Sequence, residues 1–347
     1  MSKNDYYDGT KLLSLKDING NTPEIYMCTS NRNGGKTTFF NRWVINRFKK
    51  YHEKFAILYR FNYELDDCGQ KFFKDIGTLF FRSDVMTSKK KAQGVYHSLY
   101  LNNIHCGYAL SINNADQIKK MSHLFSDTKR ILFDEFQSEN HHYCDREVDK
   151  FISIHTSLAR GNYQQVRYLP VIMMSNPVSL INPYYVQMGI TNRLKSDTKF
   201  LKGDGYVLEQ GFNESASQQQ KLSGFNKAFA QNKYVAYSSE CTYLDDNIAF
   251  IEKPTDVKNK YIATIRYMDK DYAIRQYADL GILYCDDRAD KTFPLRISVT
   301  TDDHNINYVM LKSNDIIISQ MRFYFERGCF RFKDLQSKDA LLKCISY

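Results

Sequence analysis

The stretch IYMCTSNRNGGKTTFFNRWVINRF, from Ile25 to Phe48, leaves few folds open to this chain. An apolar run ending at Cys28 passes through a short polar loop with two glycines into Phe39, Phe40, Trp43, Val44 and Phe48, which recur at helical spacing. Such a loop between a strand and a helix turns successive backbone N–H groups and a helix N-terminus onto one point, where they hold phosphate. Lys36 adds a point charge and Thr37 a hydroxyl of the kind that ligates magnesium. Ser30, Asn31, Arg32, Asn33, Gly34, Gly35, Lys36, Thr37 and Thr38 are therefore the candidate nucleotide-binding residues. Ser30 stands where a leading glycine is usual, and Gly34 and Gly35 still supply the close backbone approach.

A phosphate loop of this kind works with an acidic strand, and KRILFDEFQSE provides one. Ile131, Leu132 and Phe133 deliver Asp134 and Glu135 to the carboxyl end of a buried strand, where ligands of open α/β sheets bind. Asp134 is placed to hold magnesium through water and Glu135 to orient or deprotonate an attacking water, so ATP and Mg2+ are the expected cofactors and hydrolysis the expected reaction. In VIMMSNP, Ser175 and Asn176 end the next apolar strand; they sense the γ-phosphate or merely turn the chain before Pro177. The helical stretch REVDKFISIHTSLARGN ends at Gly161 and exposes Arg160 in its last turn. That arginine stabilises the helix C-terminus or reaches the nucleotide of a neighbouring subunit.

The alternation of apolar runs with helical patterns up to Gly203 predicts a mainly parallel sheet flanked by helices, with strands at Ile25–Cys28, Phe55–Arg60, Ile104–Ile112, Ile131–Phe133 and Val171–Met174, and a hairpin turning at Asn102-Asn103. Residues 1–203 are thus expected to form an ATPase domain, 204–252 a small polar helical lid or linker, and 253–347 a strand-rich domain. That last part is read as strands in KYIATIRYM, LGILYC, PLRISVT, NYVMLK and RFYFERGCFRF. The net charge of +9 suits a polyanionic partner without demanding one. The eight cysteines form no C-x-x-C pair, as expected of free thiols in a reducing compartment. The uncharged run Tyr168 to Asn192 contains three prolines and reads as a buried strand followed by loops, not a membrane span. HHYCD, from His141 to Asp145, has metal-ligand residue types but is assigned no metal.

Taken together these motifs resemble the DNA-encapsidation ATPases of small phi-29-like tailed phages, relatives of the large terminases and of FtsK/HerA translocases. The most specific part is SNRNGGKT: terminase-like motors carry an arginine four residues before the loop lysine, and Arg32 stands at that spacing from Lys36. The resemblance implies an α/β P-loop ATPase of the ASCE type followed by a strand-rich α+β domain like a degenerate RNase H-type nuclease. It implies Asp134 and Glu135 as the acidic pair, Arg32 and Arg160 as catalytic arginines with Arg160 acting in trans, and Ser175-Asn176 as the coupling position. The implied function is ATP-driven translocation of double-stranded DNA into a preformed prohead. The implied partners are the portal, copies of the chain in a ring, expected to be pentameric, and a packaging RNA, with no membrane. The implied location is the host cytoplasm and, transiently, the portal vertex, with the protein absent from the mature virion. Another FtsK/HerA-type translocase and a nucleotide-gated nucleic-acid binder without turnover are the alternatives; Glu135 beside Asp134 weighs against the second.

Three further clusters take their meaning from the resemblance. Lys89, Lys90 and Lys91 in TSKKKAQG form a loop that grips DNA phosphates or is simply solvated. Asp286, Asp287, Asp302, Asp303 and Asp315 fall at strand ends and turns, with no acid inside YIATIRYM, so they read as solvated turn acids and no nuclease activity is expected. MRFYFERGCFRFKD interleaves Arg322, Arg327, Arg331 and Lys333 with aromatics; it reads as a hairpin turning near Gly328, or as a surface for RNA.

Overall fold

In the computed structural model, residues 6–139, 142–160, 166–179, 182–190, 193–194, 198–229, 232, 235, 238–239, 250–311, 315–327 and 329–345 are described. They divide into two units, Met1–Gln187 with Arg193–Leu244, and Met188–Asn192 with Asp245–Tyr347.

Nine strands of the first unit form one sheet: β1 Ile25–Thr29, β2 Lys54–Tyr59, β3 Met86–Lys91, β4 Tyr96–Leu101, β5 Ile104–Ser111, β6 Thr128–Asp134, β7 Val171–Ser175, β8 Phe200–Gly203 and β9 Tyr206–Gln210. Their order is β3-β4-β5-β2-β6-β7-β1-β9-β8. From β5 to β9 neighbouring strands are parallel, with antiparallel pairs only at the two edges. β7 lies between β1 and β6, so the phosphate loop and the acidic pair rise from strands separated by one other, the layout expected of the class.

Central parallel strands are covered on both faces and read as continuous apolar runs. The helix Lys36–Tyr51 buries Phe40, Val44, Ile45 and Phe48 in a core with Cys28, Ile57, Leu132 and Ile172. Phe133, next along β6, points to the opposite face. There it stacks at 5.9 Å on Phe151 of the helix Glu147–Leu158.

Several expectations are corrected at the edges of this sheet. The hairpin between β4 and β5 does turn at Asn102 and Asn103, with φ of 51° and 66°. TSKKKAQG, however, is no loop: Lys89, Lys90 and Lys91 pair with Ser98, His97 and Tyr96 as edge strand β3. A charged strand is legible as a loop because an edge exposes most of its side chains, which also guards it against edge-to-edge pairing. The boundary expected at 203 falls inside the hairpin β8–β9, and β9 lies parallel against β1. Buried Glu209 hides this strand from a hydrophobicity reading; its carboxylate accepts the Tyr7 hydroxyl at 2.6 Å. After β9, Asn213 and Ser223 cap the short helices Glu214–Leu222 and Gly224–Ala228. The run after β7 contains a short helix, Pro183–Gln187, where loops were expected. Among the described residues, no helix is long and apolar enough to cross a membrane.

The second unit holds β10 Lys260–Tyr267, β11 Lys270–Tyr277, β12 Ile282–Asp286, β13 Arg296–Ser298 and β14 Phe330–Phe332. They are ordered β13-β10-β11-β12-β14. An antiparallel meander β10-β11-β12 carries parallel strands on both sides. With β13 parallel beside the first strand of the meander and β14 parallel beside its last, this is a mixed five-stranded sheet backed by helices, strand-rich α+β as expected. Ile265, Ile274, Cys285, Ile318, Met321 and Leu341 join the sheet to the helices Ile316–Glu326 and Leu335–Ile345.

Sequence reading missed β11, the middle strand, because Asp271, Arg275 and Gln276 interrupt its apolar residues. It also mistook RFYFERGCFRF for a hairpin: the helix runs to Glu326, and only Phe330–Phe332 is strand. Among the described residues NYVMLK contributes a single bridge, Val309 to Ile297. Two of the turn acids are buried, not solvated. Asp303 accepts the N–H groups of Met268 and Asp269 at 3.0 and 2.8 Å, closing the β10–β11 turn. Asp286 pairs with Arg275 at 3.2 Å and accepts the Arg288 N–H at 2.8 Å. Asp287 holds Lys333 at 2.5 Å, Asp315 caps a helix through the Ile317 N–H, and Asp302 is exposed.

Candidate nucleotide site

Between β1 and the helix Lys36–Tyr51 the chain bends through left-handed residues, Asn33 at φ 59° and Gly35 at φ 92°. Gly35 is required twice over: its φ disfavours any side chain, and a Cβ there would lie 2.9 Å from Cδ1 of Tyr6. The helix then starts at Lys36, and its first backbone N–H groups have no partner within the helix. A cleft of about 1020 Å³ opens over them. Arg32 to Thr38, Asp134, Glu135, Ser175 and Asn176 line one side; Tyr6, Ser215, Gln219, Gln220 and Phe225 are among the residues completing it.

Inside the cleft the expected groups meet. Thr37 Oγ1 donates to Asp134 Oδ2 at 3.0 Å, joining the two expected magnesium ligands. Buried Lys36 donates from Nζ to the carbonyls of Ser30 and Asn31 and to Asn176 Oδ1, at 3.0, 3.4 and 3.2 Å. Burial raises the Asp134 pKa, against the Thr37 hydrogen bond and the Lys36 charge. Burial also raises that of Glu135, with further upward push from Asp134, Glu139 and Glu64, while Arg32 pulls it down. Glu135 sits at φ 56°, a conformation glutamate rarely takes.

Two expected ligands lie behind the loop instead. Ser30 and Asn31 are buried and do not line the cleft. The Asn31 side chain exchanges hydrogen bonds with the Asn213 backbone at 3.0 and 2.9 Å, and Asn213 Nδ2 reaches the Gly34 carbonyl at 3.2 Å. Asn31 therefore clamps the loop to the segment following β9. Arg32 lines the cleft with its guanidinium on Glu139 at 2.7 Å, and Asn176 Nδ2 reaches the same carboxylate oxygen at 3.3 Å. Its backbone carbonyl accepts Gln220 Nε2 at 2.9 Å.

Arg160 is exposed, just past the helix that ends at Leu158, and does not line the cleft of its own chain. Gly161, expected to end that helix, lies outside the described residues. The helix-end carbonyls of Leu158 and Ala159 are taken by Arg167, at 2.6 and 3.0 Å. Lys89, Lys90 and Lys91 lie away from the cleft on β3. His141 also falls outside the described residues, and His142 packs on Phe61 at 4.8 Å between ring centroids.

Glu139, Asn213, Gln220 and Arg60 were missed. Glu139 was visible in DEFQSE, on the loop leaving the acidic pair. Arg60 carries a positional signal like that of Asp134, a charged residue at the carboxyl end of an apolar strand.

Residues 1–344 match the family model described as Podovirus DNA encapsidation protein (Gp16). Over 336 residues, 96% of this chain and 94% of the relative, the chain is 24% identical to the DNA packaging protein of Bacillus phage phi29. It is 24% identical over 319 residues to that of Bacillus phage B103, covering 90% of this chain and 92% of the relative. Among solved structures it is similar to the bacteriophage Phi-29 viral genome packaging motor assembly, at TM-score 0.63 and 22% identity, covering 99% of this chain and 98% of the other. It is also similar to the Phi-28 gp11 DNA packaging motor, at TM-score 0.60 and 13% identity, covering 99% of each.

Proposed function

The chain belongs to the Podovirus DNA encapsidation protein (Gp16) family, and we propose that it is the ATP hydrolase that drives double-stranded viral DNA into a preformed prohead. The observation that carries the reading is the convergence of Lys36, Thr37, Asp134 and Glu135 on one cleft at a helix N-terminus. In it the triphosphate lies along the N–H groups of Gly34 to Thr38, with Lys36 against the phosphate oxygens. Thr37 Oγ1 and the Asp134 carboxylate, 3.0 Å apart, are hard oxygen donors that fit magnesium. An ion held by these two groups would neutralise phosphate charge. Glu135 orients a water toward the γ-phosphorus and takes its proton as the bond to the ADP oxygen breaks, leaving ADP and inorganic phosphate. Glu139, held by Arg32 and Asn176, raises the Glu135 pKa, and the Arg32 charge lowers it.

Arg160 completes the site of a neighbouring copy, a role supported by its exposure and by Arg167 serving the helix end instead. The working form is a ring, proposed to be a pentamer, on the portal vertex of the prohead in the host cytoplasm, leaving before the virion matures. Lys89, Lys90 and Lys91, exposed on β3, would meet DNA phosphates. A packaging RNA would meet exposed Phe323 and the Arg327 guanidinium, 3.9 Å above its ring; Arg322 and Arg331 already donate to the carbonyls of Ile345 and Phe330.

The test is ATP hydrolysis by the full chain with DNA and purified proheads, followed by the yield of DNase-protected DNA. Hydrolysis stimulated by both, with protected DNA only when ATP is present, is expected; DNA-independent hydrolysis without protection would sink the packaging reading. Replacing the three lysines of β3 by alanine should flatten the salt dependence of DNA binding by about one unit of log–log slope for each phosphate that is no longer neutralised. An unchanged slope removes them from the DNA path.

No nuclease activity is proposed for the second unit, since Asp286, Asp287, Asp303 and Asp315 already serve ion pairs, a turn and a helix cap. Supercoiled plasmid kept with the protein in manganese should stay intact. Cleavage that disappears in Asp286→Asn/Asp287→Asn would overturn this.

A further inference from the structure

β2 is apolar from Phe55 to Leu58, and two residues beyond stands Arg60, a charged residue only 7% exposed. Its guanidinium is shared between two elements. Nε donates to both oxygens of Glu147, at 2.8 and 3.1 Å, and Nη2 donates to the carbonyls of Glu135 and Phe136, at 3.1 and 2.9 Å. Glu147, also buried, further accepts the Cys144 N–H and the Tyr184 hydroxyl, each at 2.8 Å. A buried ion pair is weak evidence for stability, because apolar side chains of similar volume often serve folding as well. What an apolar pair could not do is hold two backbone carbonyls.

One of those carbonyls belongs to Glu135, whose left-handed backbone persists only where its surroundings enforce it. The peptide is gripped from both ends. Arg60 holds the Glu135 carbonyl, the Phe136 N–H donates to the Met174 carbonyl at 3.2 Å, and the Glu135 N–H donates to Asp134 Oδ1 at 3.0 Å. We propose that Arg60 is a positioning residue: it locks the Glu135 backbone so that the carboxylate faces the cleft. Through Glu147 it ties that loop to the first turn of the helix Glu147–Leu158, beyond whose far end Arg160 is presented. The proposal rests on the reading of Glu135 as the water-activating group.

Arg60→Lys retains the charge but loses the fork, since one ammonium cannot span Glu147 and both carbonyls. Single-turnover ATP hydrolysis should slow by about 10-fold or more, as small misplacements of a reacting group do, while nucleotide affinity measured with a fluorescent ATP analogue stays within about twofold. A purely structural role would lower the melting temperature without this separation of turnover from binding. In a Glu135→Gln background the same substitution should alter the residual rate by less than about twofold, because the two changes act through one group. An unaltered rate in Arg60→Lys, or an equal fold-loss in both backgrounds, overturns the proposal. Should Arg60→Lys not fold, the neutral pair Arg60→Gln/Glu147→Gln replaces it: the same slowing with unchanged affinity is expected, and the same two results overturn the proposal. Wild-type turnover in Glu135→Gln alone would strike the premise about Glu135 instead, which keeps the two failures apart.

Discussion

Glu135→Gln is expected to lower steady-state ATP hydrolysis by about 100-fold or more, the usual contribution of a positioned general base, with nucleotide still bound. The amide keeps the shape of the side chain and cannot take the proton. The acid limb of wild-type kcat/KM, which reports the free enzyme, should sit higher than for an ordinary glutamate, because burial and the Asp134, Glu139 and Glu64 charges all raise the Glu135 pKa. Activity needs the ionised form, so it falls as pH drops through that raised value. Glu139→Gln removes one of the raising charges, and its acid limb should therefore move to lower pH. Turnover at the wild-type rate in Glu135→Gln would remove the proposed mechanism, and an upward shift in Glu139→Gln would contradict the electrostatics.

Arg160→Ala should be comparably severe, about 10³-fold in turnover, if its guanidinium stabilises transition-state charge in a neighbouring subunit. Mixing distinguishes this from a local effect. Glu135→Gln subunits are inactive at their own sites yet still present Arg160; Arg160→Ala subunits keep an intact cleft and lack the donor. Rings assembled from both on proheads should recover turnover at interfaces where the first type serves the second. No recovery in rings shown to contain both would count against action in trans.

Some of this was legible along the chain because the relevant spacing is local. The loop from Thr29 to Lys36 joins a strand to a helix through residues a few positions apart, so covalent geometry alone brings N–H groups, Lys36 and Thr37 together. Asp134 and Glu135 were equally readable, since the apolar residues before them specify a buried strand and its end. Ser30 and Asn31 were assigned to the nucleotide by their place in the motif. They face inward because the segment after β9, which along the sequence reads as a polar lid or linker, packs behind the loop. β3 and β11 were lost for a related reason: polar residues on an edge, or scattered along a strand, resemble loop sequence until a neighbour supplies the ladder.

By itself the sequence showed which groups to look for: a glycine-containing loop between a strand and a helix, a carboxylate pair at the end of another buried strand, and an arginine at the end of a helix. Tertiary structure alone decided how those groups are held. Arg32 meets Glu139, Asn31 meets Asn213, and Arg60 joins Glu147 to the Glu135 carbonyl across separations of 107, 182, 87 and 75 residues. Side-chain chemistry announces that each such group needs a partner. Which partner it finds depends on the order and register of the strands, and that is set by packing over the whole sheet.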